Sequence, residues 1–386
     1  MTCEQRQLIA LVALAISPNK PIHKVLLERT IDWHSILEEA KKQSLVGVAF
    51  LGFKRWFTSD VGNSSSITIE KPLLTSWYLL AEKIKQDNIL LNKRTSQVCR
   101  RFAKDGFRVS VMKGQGNALL YGGELSLLRA SGDIDVWVEG GFKKVYDYVM
   151  KIAPTNVVNE QEIDFNVFSD AVVEIHYRPF IMRHPFRMKR LESFIKSQSE
   201  RCFNNHVKLQ TVSKDGETEW ADAIVTTVRF NLIQQLAHIH RHLFTEGVGL
   251  RQVMDYYFLL IHAEQNLNQD EKSEVIALAK AVGLERLACA LMWILSAYFG
   301  LPEKCLLWEP NREDGDFLLE EIMRTGNFGK MDNRHPEGYK TGGILSFLYT
   351  QKRNIAMSRF DRSDWFWGSL WRIYHFAWRR VHGFTH

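Results

Sequence analysis

The chain of 386 residues has few cysteines, and none is placed to build a framework. The five (Cys3, Cys99, Cys202, Cys289 and Cys305) are an odd number, lie far apart and form no C-x-x-C pair. That pattern excludes a disulfide scaffold and a cysteine-built zinc site, and it makes a reducing, cytoplasmic compartment the expectation. Long apolar runs are missing too. The stretch Leu8 to Ile16 is too short to span a bilayer. It follows Glu4 and Arg6 rather than a plainly positive segment and has no A-x-A-type cleavage site, so it reads as a buried helix, not a signal peptide. No internal repeat, low-complexity block or recognisable nucleic-acid module occurs. The net charge of +6 is a slight excess on so long a chain. It permits a phosphate-bearing ligand without indicating nucleic-acid binding.

What remains is ordinary globular composition, 45% hydrophobic and 24% charged, with an aromatic share of 12% that includes 11 tryptophans. The length allows two or three domains or one composite body. Helical spacing dominates residues 1–104: one helix over 3–17 stopped by Ser17-Pro18-Asn19, one opened by Asp32 as N-cap, and a long one from Leu73 to Ala103. Ser59 to Ser66 reads as a surface loop. The character changes at Gly106. Phe107 to Met112 is a β-branched run that ends in Lys113-Gly114-Gln115-Gly116, a strand entering a glycine turn. Asn117 to Tyr121 predicts a short helix, 133–138 a strand, Phe142 to Ile152 a helix, and 163–168 and 171–177 two strands around Ser169-Asp170. Helices return beyond 222, at Ile224–Leu243, Leu250–Ala263, Glu271–Gly283 and Leu284–Phe299. Gly326 to Gly343 reads as a linker. The expected division is a helical region over 1–104, an α/β core over 105–215 and a helical region over 216–386.

The chemistry concentrates in Arg129-Ala-Ser-Gly-Asp-Ile-Asp-Val-Trp-Val138. Asp133 and Asp135 stand two apart on a strand, so both carboxylates share one face. Like charges that close are stabilised by a cation, and hard oxygens suit magnesium. The alternative is a strand end with two solvated acids. Glu174 shares a strand face with His176 and adds a third carboxylate if its strand lies beside the aspartate strand. Lys113 and Gly114 offer a charge and a backbone that a phosphate can approach closely. Arg129 stands ready either to clamp a phosphate oxygen or to pair with one of the aspartates. Lys113 and Glu174 have solvated surface readings beside these, and His176 reads as a structural histidine or a support to the acids rather than a ligand. Three acids, cations and a triphosphate are the parts of an in-line nucleotidyl or phosphoryl displacement.

Met112-Lys-Gly-Gln-Gly-Asn-Ala-Leu-Leu-Tyr121 followed by Leu128-Arg-Ala-Ser-Gly-Asp-Ile-Asp-Val-Trp-Val138 resembles the uncharacterised bacterial nucleotidyltransferases of the polymerase-beta-like superfamily. Val173-Glu-Ile-His-Tyr177 is similar to that family's later acidic strand. Asp32-Trp33, His238-x-His-x-His242 and Arg251-x-x-x-Asp255 resemble its flanking helices, so the likeness runs from about residue 30 to about 260. The resemblance implies an α+β fold, a polymerase-beta-like mixed-sheet core flanked by N- and C-terminal helical regions. It implies two magnesium ions, with manganese as a substitute, held by Asp133, Asp135 and Glu174. It also implies a nucleoside triphosphate bound at Lys113, Gly114, Arg129 and Gly132, and Asp135 or Glu174 aiding deprotonation of an acceptor hydroxyl. That acceptor is left open among a small molecule, a protein and an RNA end. The superfamily's Gly-Ser turn is Lys113-Gly114 here, with a long spacer to Asp133. Either Lys113 replaces the serine's phosphate contact by charge, or the triphosphate binds differently.

Rival readings keep their place. A catalytically silent nucleotide-binding or regulatory protein on the same fold, such as one partner of a toxin–antitoxin-like pair, would hold the same acids without turnover, and a helical adaptor would carry them incidentally. His238 and His242 share a helix face, but the glutamate of H-E-x-x-H is missing, which points to packing or substrate contact rather than zinc proteolysis. Arg251 and Asp255, four apart, read as a helix-face ion pair. The tail carries Trp365, Trp367, Trp371 and Trp378 with Arg372, Arg379 and Arg380. Its aromatics spread round the helix, so it is expected to pack on the body or on a second subunit rather than on a membrane.

Overall fold

Described in the computed structural model are residues 1–17, 21–27, 31–60, 62, 68–329, 332 and 344–381, with backbone alone for 344–350, 365, 372, 373, 375, 376 and 379. Helix α1 (Cys3–Ile16) starts at a capping box in which Thr2 and Gln5 each accept from the other's amide. Helix α2 (Trp33–Lys42) has the expected cap, with the Ser35 amide donating to Asp32 Oδ1 at 3.0 Å. Helix α3 (Val46–Phe57) crosses α1 so closely that a Cβ on Gly52 would sit 2.0 Å from the Leu11 carbonyl oxygen. The long helix α4 (Lys71–Lys104) then ties the molecule together. Its Trp77 and Ala81 lie in a large helical core, while Val98, Cys99 and Phe102 lie in a smaller core under the sheet.

That sheet comprises β1 (Val109–Met112), β2 (Asp133–Val138), β3 (Glu162–Asp164) and β4 (Val172–His176), in the order β1-β2-β4-β3. β2 and β4 run parallel, and the outer pairings are antiparallel. Between β1 and β2 lie helices α5 (Lys113–Tyr121) and α6 (Gly123–Leu128), and α7 (Gly141–Ile152) follows β2. Alternation divides the sheet by chemistry. Val109, Val111, Ile134, Val136, Val138, Val173 and Ile175 form one face, packed on Phe102, Val145 and Val149. The other carries Asp133, Asp135, Glu174 and His176 beside Met112 and Trp137, and it faces the helical core. Trp137 anchors that side, stacked 5.3 Å from Phe230 and tilted against Phe203 at 4.5 Å. Burying such a side chain contributes roughly 2–3 kcal/mol.

Helix α8 (Pro185–Phe203) and the hairpin of β5 (His206–Val212) with β6 (Thr218–Ile224) complete the middle of the chain. The helix expected from Ile224 begins instead at Val228, because Ile224 still belongs to β6 and Thr227 caps the new helix by accepting from the Phe230 amide. The boundary expected at 215/216 falls in the turn of this hairpin. Helices α9 (Val228–Thr245), α10 (Leu250–Asn266), α11 (Gln269–Ala281), α12 (Glu285–Ala297), α13 (Arg312–Thr325), α14 (Ile344–Met357) and α15 (Asp364–Val381) follow. The fold is α+β, mostly helical with a small mixed sheet.

Much of the loop expected at Ser59–Ser66 and of the linker at Gly326–Gly343 lies outside the described residues, as do Pro18-Asn19 and the side chains of Trp365, Arg372 and Arg379. Among the described tail side chains, two tryptophans pack on the body. Trp367 lies 4.9 Å from the His184 ring and Trp378 5.8 Å from Phe142. Among the described residues no helix is long and apolar enough to cross a membrane.

Candidate active site

Strand register brings the acids together. Asp135 on β2 is paired with Glu174 on β4, and Met112, the residue before Lys113, is paired with Asp135 on the other side. Lys113 leaves β1 in a left-handed conformation, φ 43°, which costs a residue with a side chain roughly 1 kcal/mol or more. The turn carries its ammonium to 2.7 Å from Asp135 Oδ1. A Cβ on Gly114 would come 3.1 Å from the Asp133 carbonyl oxygen, so the turn fits tightly against the acidic strand.

Asp135 Oδ1 also accepts from His176 Nε2 at 2.8 Å. On its far side, His176 Nδ1 stands 3.4 Å from Glu162 Oε2, an ion-pair distance without hydrogen-bond geometry. Glu174 Oε2 lies 3.8 Å from His176 Nε2. Burial alone would lower the His176 pKa, but Glu162, Asp135 and Glu174 overcome it and push it up to about 9, so the imidazole is charged. Burial would raise Glu162, and His176 with Lys113 instead hold it down to about 2. Asp135 is likewise depressed against its burial by Lys113 and His176. The other two acids move the opposite way. Asp133 is raised by neighbouring Asp135 and by burial, and Glu174 by burial and by the surrounding carboxylates. Negative charge at Asp133 and Glu174 is therefore under-compensated.

A cation fits here through the carboxylates. Asp135 and Glu174 each offer an oxygen within 4.8 Å of the other and of His176, which as an imidazolium donates to Asp135 rather than ligating; Asp133 shares a recess with Asp135 but stands outside that tight group. Lys113, Gly114, Arg129, Gly132, Asp133 and Asp135 all line this recess, so the structure brings together every expected site residue except Glu174, which sits beside Asp135 in register.

Arg129 has a different placement from the one its sequence suggests. It pairs with neither strand aspartate; its Nε and Nη2 donate to the two oxygens of Asp255 at 2.6 and 2.7 Å, fully buried. Tyr121 Oη and Asn117 Nδ2 donate to the same carboxylate, at 2.8 and 3.1 Å. The expected Arg251–Asp255 ion pair is thus corrected, because Asp255 is taken by Arg129. Arg251 donates from Nη1 to the Ala130 carbonyl at 2.8 Å. Sequence reading missed Glu162, Gln235, Gln252 and Phe328. Glu162 had a signal, since Glu162 and Asp164 alternate with Ile163, but only strand pairing places it opposite His176. His238 lines the recess, its ring 4.3 Å from that of His242, and burial with His242 nearby holds its pKa well below the usual range.

The family described as uncharacterised nucleotidyltransferase matches residues 29–300. No curated protein matches the chain. The crystal structure of an antigenic nucleotidyltransferase-like protein from Paracoccidioides brasiliensis aligns over 58% of this chain and 95% of its own, with 9% identity and a TM-score of 0.27.

Proposed function

Since the chain belongs to the nucleotidyltransferase family that its residues 29–300 match, we propose that it transfers a nucleoside monophosphate from a nucleoside triphosphate to a hydroxyl acceptor on a polymerase-beta-like core. Asp133, Asp135 and Glu174 would hold two magnesium ions, with manganese able to replace them. Bound there, the metals supply Lewis-acid stabilisation of phosphate charge and a lowered hydroxyl pKa. The observation that carries the reading is the register of Asp135 against Glu174, with Asp133 two residues away on the same strand face and opening on the same recess as Asp135.

The side chains divide the work. Glu174 is the better proton acceptor, because Asp135 already accepts from Lys113 and His176 through one oxygen and is held ionised. The acceptor hydroxyl gives its proton to Glu174 as its oxygen bonds to the α-phosphorus, and the bond from that phosphorus to the bridging oxygen breaks to release pyrophosphate. His176, bracketed by Glu162, fixes the Asp135 carboxylate in place. Arg129 locks the loop ahead of Asp133 to α10 through Asp255. The test is transfer of label from an α-labelled nucleoside triphosphate with magnesium. Asp133→Asn with Asp135→Asn is expected to abolish it, and transfer that survives both changes overturns the assignment.

One observation favours the second reading, a silent nucleotide-binding protein. The Lys113 ammonium sits against Asp135, where a cation would lie, and satisfies the carboxylate without a metal. Nucleotide binding with no transfer in any acceptor screen would select that reading.

A further inference from the structure

Two arginines flank the recess, and their electrostatic circumstances are opposite. Arg129 is committed within the fold: its Nε–Nη2 edge goes to Asp255, and Nη1 goes to Ser131 Oγ at 2.9 Å. No fork is left for a ligand. Arg251, on the first turn of α10, makes a single hydrogen bond among the described residues, from Nη1 to the Ala130 carbonyl. Its Nε is buried without a partner. Asp255 and Asp133 act on it through space, but neither pairs with it among the described residues. Burial and the nearby Arg129 charge both disfavour its ionised form. Phe328 supplies an apolar wall, its ring centroid 5.8 Å from the guanidinium carbon.

Asp255, Asp133 and the Ala130 carbonyl offset only part of the desolvation cost of a guanidinium held this way, and an arriving anion would offset more of it. Its unused Nε and Nη2 edge has the planar spacing that takes two phosphate oxygens at once. Arg251 lines the recess with Lys113, Asp133 and Asp135. Through Ala130 it also braces the loop that leads into Gly132-Asp133. The geometry points to Arg251 as the polyphosphate clamp of the nucleoside triphosphate, with Arg129 as a buried anchor that never touches the ligand. This assignment rests on reading the recess as a nucleotidyl-transfer site.

Titration calorimetry of the full chain with magnesium tests it, using inorganic tripolyphosphate and a non-hydrolysable nucleoside triphosphate as probes. Arg251→Lys keeps a charge and a donor for Ala130 but lacks the fork. It is expected to leave the ligand-free thermal midpoint unchanged and to weaken both probes about tenfold or more, the loss of one or two charge-assisted hydrogen bonds. Arg251→Gln, which also keeps a donor, should weaken them further. On the wild-type chain, tripolyphosphate should shift the Nε–H resonance that disappears in Arg251→Lys. Equal affinity in wild type and both variants, or an unmoved resonance at saturation, overturns the clamp while leaving the transfer site standing. Failure of the wild type to bind either probe overturns both.

Discussion

Among the described residues two buried histidine–carboxylate groups stand out, built from similar residues. In the sheet, His176 stands among Asp135, Glu174 and Glu162, with Asp133 nearby and Lys113 as the other cation paired there. At the C-terminal end, His240 stands against Asp361, with Asp364 close enough to share a ligand. There each acid has its own arginine: Arg187 pairs with Asp361, and Arg183 with Asp364 at 3.0 Å. Ser363 adds a hydroxyl and an amide to Asp361. The difference lies in the charge balance. The second group is neutralised within the fold and clasps α15 and the turn before it to α8 and α9. The first keeps more carboxylates than cations and opens on a recess, which leaves charge for a metal and a nucleotide.

The comparison breaks if the two groups respond alike. The largest expected effect is on transfer: Asp135→Asn should lower it by roughly a thousandfold, several kcal/mol of lost charge stabilisation, while Asp361→Asn leaves it within about twofold, as label transfer will read. Next comes stability. Asp255→Asn strands the Arg129 guanidinium in the interior and should cost about 3–5 kcal/mol in urea unfolding. Asp361→Asn with Asp364→Asn removes the clasp around less deeply buried arginines. A smaller loss of roughly 1–3 kcal/mol is expected, with increased proteolysis near α15 and magnesium binding retained.

The smallest effect concerns pH. The folded His176 pKa of about 9 lies above the unfolded value. Its contribution to stability is therefore fully present below about pH 6.5 and lost as pH rises through 9. The metal-free chain should lose thermal midpoint between pH 7 and 10 more steeply than His176→Gln. Asp361, depressed in the clasp, works in the other direction: its contribution is present above about pH 4 and lost below it. Parallel alkaline profiles for wild type and His176→Gln would remove His176 from the charge network.

Much of this was legible in residue order. Alternation in Asp133-Ile-Asp135 and Glu174-Ile-His176 is local, so the shared face of these side chains followed from strand geometry. The caps at Asp32 and Thr227 likewise sit beside the amides they bind, although only the first was foreseen. The Arg129–Asp255 pair was not legible, because its partners are 126 residues apart and Arg251 stood at a plausible helical spacing from Asp255. The β5–β6 hairpin escaped for another reason. Trp220 on β6 is 60% exposed, and little of that strand is buried, so no apolar alternation marks it. Helix α8 begins at Pro185 and carries a sparse apolar stripe in a polar sequence, with Leu191, Gln198, Cys202 and Phe203 as its buried positions.

The most direct measurement counts manganese ions by electron paramagnetic resonance in the presence of a non-hydrolysable nucleoside triphosphate. It compares wild type, Asp133→Asn with Asp135→Asn, and Asp361→Asn with Asp364→Asn. Two bound ions are expected in wild type and in the clasp variant, and loss of both in the strand variant. Retention of the ions without Asp133 and Asp135, or their loss when only the clasp is changed, would contradict that expectation.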